Sequence, residues 1–260
     1  MADGNGTIHW VHPLLAAYVA NYPEQVLVTA TKSGECPKCD VPRERLGDME
    51  PSEAWDINAV YNALSKVGNN YKQFKMACKE ARIKPIAQPF WGQLPFLDIF
   101  QAITPDILHQ LHQGVFKHLV KWLAQAFGSV EINAHCQRLI PNHHIRIFSN
   151  GITGLSWVTG KEHAMISHII LGVIADVSLP NGLDTSCLLR TVCALLDFMY
   201  LTQLKVISMW HLTLMDEALV IFHQNKDIFI DLGLCEKFNI PKLHACLHYT
   251  RSIRLFWIHR

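Results

Sequence analysis

The chain has 260 residues, 50% of them hydrophobic and 17% charged, with a mean hydropathy of +0.12. That is enough for one large domain or two small ones around a buried core, and it excludes a disordered chain, a coiled coil and a collagen-like fibre. Lys plus Arg number 23 against 22 Asp plus Glu, a net charge of +1, so any grip on nucleic acid or anionic lipid has to come from a local patch.

In chain order, residues 8–30 hold two apolar runs around a turn at Asn21-Tyr22-Pro23. Gln25–Thr31 alternates and is β-branched, which predicts a strand. Gly34 to Gly47 is a loop containing Pro37, Pro42, Cys36 and Cys39. Residues 53–82 are predicted helical in two pieces, broken near Gly68-Asn69-Asn70, and Pro85, Pro89 and Pro95 make 83–97 an extended connector. Thr104 is placed to cap a helix with Pro105 in its first position. Leu108, Leu111, Val115, Leu119 and Leu123 then recur at spacings of three or four, predicting an amphipathic helix over 105–126. A polar stretch, 139–157, precedes further helices at about 161–177, 186–203, 209–224 and 241–249. The expected architecture is α+β and predominantly helical: a small strand-bearing part, residues 1–50, followed by a larger helical part, residues 51–260, in one continuous domain.

No segment is long and apolar enough to span a bilayer; Ala164–Leu179 comes nearest but carries His168 and Asp176. The first ten residues lack a basic region followed by an apolar one, so the chain is read as intracellular, not secreted. The sparse cysteines are read as reduced thiols.

Four constellations could carry chemistry. Cys36-Pro-Lys-Cys39 has the spacing with which two thiolates grip one tetrahedral Zn²⁺. Further ligands would have to come from Cys78, Cys136, His135, His143-His144, His9 or His12; buried thiols without metal are the plainer alternative. Asp106, His109 and His112 follow at helical spacing. Asp106 there either caps a helix or orients His109 for acid–base work, and Gly114 in the same helix costs about 1 kcal/mol relative to Ala unless a close contact requires it. In Thr159-Gly-Lys-Glu162-His163, Thr159 could cap a helix with Glu162 in its first turn. Lys72, Lys75, Lys79 and Arg82 share one helix face, a solvated surface or a row of phosphate contacts. Phosphate-cradling and serine-hydrolase glycine motifs are absent.

The run Pro89-Phe-Trp91, Leu94-Pro-Phe-Leu-Asp98-Ile-Phe and Thr104-Pro-Asp-Ile-Leu-His-Gln-Leu-His-Gln-Gly-Val-Phe-Lys-His-Leu-Val-Lys-Trp122 resembles the Plavaka-type transposases of fungi, in the Kyakuja–Dileera–Zisupton group related to CACTA-like transposases. The likeness extends upstream through Ala2-Asp3-Gly4, Tyr22-Pro-Glu-Gln25 and Cys36-Pro-Lys-Cys39, and downstream through Gly151–Ser156, Gly160–His163, Leu195–Tyr200 and Phe238–His244. It implies a partial RNase H-like DDE transposase core with a zinc-binding insertion and a helical C-terminal body. In such cores three carboxylates hold two Mg²⁺ or Mn²⁺ ions that activate water or a DNA 3′-hydroxyl and stabilise the leaving oxygen. By the resemblance Asp3 matches the second acid, Asp106 and His109 the D-x-x-H motif, Glu162 the last acid, and Cys36 and Cys39 the zinc segment. It also implies DNA as partner and a nuclear location; the Lys72, Lys75, Lys79 and Arg82 stripe, found by its spacing, is the candidate for the DNA contacts, and a homo-oligomer is a further expectation. The family's first acid lies upstream of the Asp-Gly segment and its chain runs beyond Arg254. The expectation is therefore a transposase-derived copy truncated at both ends, without independent strand transfer. The rival reading is a zinc-stabilised DNA- or protein-binding module; a hydrolase built on His109 and Asp106 is a third.

Overall fold

The computed structural model describes residues 1–10, 14–50, 52–68, 70–179 and 182–256. It is predominantly helical with a small two-stranded sheet, and it divides into two compact units: Met1–Asp40 with Glu53–Thr104, and Val41–Ser52 with Pro105–Arg260.

In the first unit, strand β1 (Tyr18–Ala20) pairs with β2 (Ile103–Pro105). Between them lie α1 (Tyr22–Val28), α2 (Ile57–Leu64), α3 (Tyr71–Glu80) and the single turn α4 (Ile99–Ala102). The strand expected over Gln25–Thr31 is instead largely helix α1. Local signals outweigh the alternation: the Asn21 side chain accepts from the Glu24 NH and Pro23 sits in the first turn, where its missing NH costs nothing. Gln25 is buried, and its amide nitrogen donates to the carbonyls of Ala20 (2.8 Å) and Thr104 (2.7 Å).

The break between α2 and α3 lies where the sequence placed it, although Asn69 itself is outside the described residues; Asp56 and Asn70 cap the two helices. Their apolar faces close over Trp55, Phe74, Trp91 and Phe100. Trp91 donates its indole NH to the Val28 carbonyl (2.7 Å), so the largest buried ring is also satisfied.

The second unit begins its long helical run with a π-helix, Ile107–Phe116, which passes directly into α5 (Lys117–Phe127). The expected helix over 105–126 is thus present, but its cap is Asp106, and Thr104 and Pro105 belong to β2. Leu111, Val115, Leu119 and Leu123 are buried as their spacing predicts, whereas Leu108 is 41% exposed. Then follow α6 (Ser129–Arg138), α7 (Gly160–Ile174), α8 (Thr185–Leu201), α9 (Met209–Asn225), the short α10 (Ile228–Asp231) and α11 (Pro241–His244), and α12 (Tyr249–Phe256).

The core of this unit runs through the π-helix, α5 and α7–α9, with Trp122 packed on Phe229 (4.9 Å) and Phe238 (5.7 Å). The connection 139–159 is held by Asn133, whose Oδ1 accepts from the NH groups of Ile152 (3.0 Å) and Thr153 (3.1 Å) and from the Thr153 hydroxyl (3.0 Å). Gly151 turns there with φ +78°, and a Cβ on it would meet that same oxygen at 2.0 Å. Two helices open on reciprocal caps. Thr159 and Glu162 begin α7; Ser208 and His211 begin α9, where His211 Nδ1 accepts from the Ser208 NH at 2.9 Å.

Candidate functional site

Cys36 and Cys39 sit on a turn fixed from several sides. Trp55 donates its indole NH to the Cys36 carbonyl (2.9 Å), the Lys38 NH points at the Cys36 sulfur (3.4 Å), and Cys39 bridges to Ala54. The Lys38 ammonium is folded inward onto the carbonyls of Gln101 (2.7 Å) and Ile103 (2.5 Å). Both thiols are buried. Burial, then the hydrogen bond and charge of Cys39, push the Cys36 thiol well above the usual range.

His244 and His248 lie four residues apart with ring centroids at 5.1 Å. One ligand atom from each of Cys36, Cys39, His244 and His248 falls within 4.8 Å of the others, a group able to hold a metal ion. The donor set fits. Two thiols and two imidazoles are a tetrahedral Zn²⁺ set, and a divalent cation supplies the positive charge that two buried thiols need in order to lose their protons together. Among the described residues, none of Cys78, Cys136, His135, His143, His144 and His9 joins such a group, and His12 lies outside those residues. Sequence reasoning missed His244 and His248 as ligands. Their H-x-x-x-H spacing is the signal that could have found them.

Asp106 caps the π-helix, accepting from the His109 NH at 2.5 Å, while His109 Nδ1 lies 3.0 Å from Asp106 Oδ2. The Tyr249 hydroxyl donates to the Asp106 carbonyl (3.0 Å). The expected Asp106–His109 pair is therefore formed, at the head of a helix whose i→i+5 geometry is often found at functional positions. His112 is buried deeper in the same helix, and burial holds its imidazole below its ordinary range.

Glu162 is committed at both oxygens. Oε2 accepts from the Thr159 NH (2.9 Å) and hydroxyl (2.9 Å), and Oε1 pairs with the Arg146 guanidinium. The Thr159 NH and hydroxyl, and then Arg146, hold this carboxyl below its usual range. Asp3 closes an N-terminal turn: Oδ1 accepts from the NH groups of Asn5 (2.9 Å) and Thr7 (3.0 Å), and Oδ2 lies 3.0 Å from His9 Nε2. The His9 bond leads in lowering its pKa. No group of three or more potential metal ligands among the described residues includes Asp3, Asp106 or Glu162.

Lys72, Lys75 and Lys79 project from α3 into solvent. Arg82 differs from them: it lies just past the helix with φ +54°, pairs with Glu35 (3.3 Å) and stacks over Trp55 at 4.8 Å. No helix among the described residues is long and apolar enough to cross a membrane.

The family model of the Plavaka transposases matches residues 1–123, just under half of the 260. No curated protein and no solved structure matches the chain. The matched stretch contains the Asp3 turn, the Cys36–Cys39 turn, the α3 lysines and the Asp106–His109 cap. Over these 123 residues, the chain is similar to the Plavaka transposases.

Proposed function

We propose that this transposase-derived chain binds DNA, is held folded by one structural zinc on Cys36, Cys39, His244 and His248, and does not cleave or join DNA by itself. The zinc half rests on the two-Cys, two-His group, in which Cys36, Cys39 and His244 are buried and His248 half-buried. When bound, zinc would supply charge neutralisation and crosslinking, with no open position for chemistry. DNA as partner rests on the family and on the α3 lysines, with Lys72, Lys75 and Lys79 the phosphate contacts and Arg82 the residue that steadies the end of α3. A nuclear location follows from that partner.

The observation that argues against cleavage is Glu162. An RNase H-like DDE core on this chain would use Asp3, Asp106 and Glu162, with His109 beside Asp106, to hold Mg²⁺ or Mn²⁺. A carboxylate that accepts two hydrogen bonds at one oxygen from a helix cap and is paired at the other with a guanidinium must give up a cap contact or its ion pair to hold metal ions at both oxygens. Ligand misplacement of about 1 Å already costs about a hundredfold in rate.

The test is nicking of supercoiled plasmid with Mg²⁺ or Mn²⁺, beside a duplex-binding assay. Duplex binding that weakens in Lys72→Gln/Lys75→Gln, with no nicking, is the expected result. Metal-dependent nicking that an Asp3→Ala/Glu162→Ala double variant lacks would overturn the non-cleaving reading and establish a working core.

A further inference from the structure

Within the second unit, a groove of about 630 Å³ runs along α5 to the head of α7. Lys117 and Lys121, one turn apart on α5, line it together with Lys242 from α11. Gln113, Gln125 and Thr153 add amide and hydroxyl groups, and no carboxylate is among the lining residues. In a chain with a net charge of only +1, three ammonium groups around one concavity make a concentrated anion site, although Asp106, outside the lining, is close enough to act on Lys242.

Trp157 lines the same groove. Its side chain is 96% exposed and its backbone is left-handed, φ +59°. Both features are unfavourable for an indole: it forgoes burial, and a bulky residue in that region carries backbone strain. Nothing in the packing of the unit recovers this, because the ring faces solvent. A flat aromatic surface held out beside a row of cations is what an unpaired base and its phosphates require. Base–aromatic stacking needs an accessible π-face, which a duplex hides inside its stack.

We propose that this groove binds a single strand of nucleic acid, with Lys117, Lys121 and Lys242 on the phosphates and Trp157 stacked on a base. The inference takes its ligand class from the DNA-binding reading above. It adds a second kind of contact, unpaired strand, on a unit that does not contain the α3 lysines.

The experiment is fluorescence anisotropy of the full, zinc-loaded chain with labelled oligothymidylate of about 20 nucleotides, and with a blunt duplex of the same length. Trp157→Ala is expected to weaken strand binding roughly 5- to 100-fold, with Trp157→Phe restoring much of it. Lys117→Gln/Lys121→Gln is expected to flatten the dependence of log affinity on log salt by about 1.4. All these positions line an open groove, so unchanged thermal melting checks that each variant folds. Strand binding indifferent to both variants overturns the groove assignment. If duplex binding then persists and still depends on Lys72 and Lys75, the DNA-binding reading survives alone. Polyglutamate competing as well as unlabelled strand shows simple ion exchange and overturns the strand assignment. Binding to neither strand nor duplex overturns both readings.

Discussion

The Cβ that Gly114 lacks would lie 2.7 Å from Cδ of Lys242 and 2.8 Å from the carbonyl oxygen of His109. The glycine that looked costly inside a strong helix is therefore required by a close approach, which the sequence pattern left as its one good explanation. The lysine stem could swing away, but the carbonyl belongs to the π-helix backbone. Gly114→Ala is expected to lose about 1–2 kcal/mol, the overpacking cost outweighing the gain in helix propensity. Thermal melting of the variant checks it, and a gain in stability would show that the backbone yields there.

Gln110 lies in the same π-helix, 0% exposed, and neither end of its amide has a hydrogen-bond partner. A buried amide without partners forfeits its desolvation cost, whereas an apolar side chain of similar length does not. Gln110→Met is expected to stabilise the chain by about 1–3 kcal/mol in urea denaturation. Destabilisation by the same change would mean that the amide has a partner in solution, such as a water.

Removing the metal should cost more than any single substitution. Purified protein is expected to carry about one zinc per chain, and chelation under reducing conditions to lower the melting temperature. Because both thiols must be deprotonated to bind, and burial raises the Cys36 thiol, zinc should leave as pH falls. Cys39→Ser and His248→Ala should each lower the zinc content measured by mass spectrometry. Full occupancy in both variants would remove these residues from the ligand set.

His112 and His163 give stability a pH dependence of its own. Burial leads in lowering both imidazoles, and neighbouring His163 and His168 add to the effect at His112. A group whose folded pKa lies below its unfolded value contributes fully above the unfolded value and loses that contribution as pH falls through it. The loss here should begin near pH 6.5, the ordinary value for both side chains, and deepen toward the depressed folded values. Urea midpoints at about pH 7.5 and about pH 5 should differ, and His112→Gln should narrow the difference. An unchanged difference would place the linkage elsewhere.

Where caps and periodicity agreed, the fold was legible. The pieces α2 and α3, and α7, α8 and α9, lie within a few residues of their expected spans because each begins on an Asp, Asn, Thr or Ser cap and carries a continuous apolar stripe. Gln25–Thr31 misleads because its alternation mimics a strand while the Asn21 cap and Pro23 start a helix. The π-helix was invisible, since a leucine spacing of three and four suits either helical register over so short a run. At the candidate site, Cys36 and Cys39 were legible as a local spacing. His244 and His248 were not assigned to the same metal, because periodicity and capping report on neighbours and not on partners some 200 residues away.

The cap of α9 has a consequence of its own. Ser208 anchors its NH on a ring nitrogen of His211, where α7 uses the carboxylate of Glu162. A carboxylate offers two oxygens and about four lone-pair sites, whereas an imidazole Nδ1 offers one. The Ser208 NH (2.9 Å) and hydroxyl (3.0 Å) both lie against that one ring nitrogen, so the latch of α9 has less tolerance of misplacement than that of α7. Amide exchange at residues 209–212 should therefore quicken in His211→Ala, while the first turn of α7 keeps its protection.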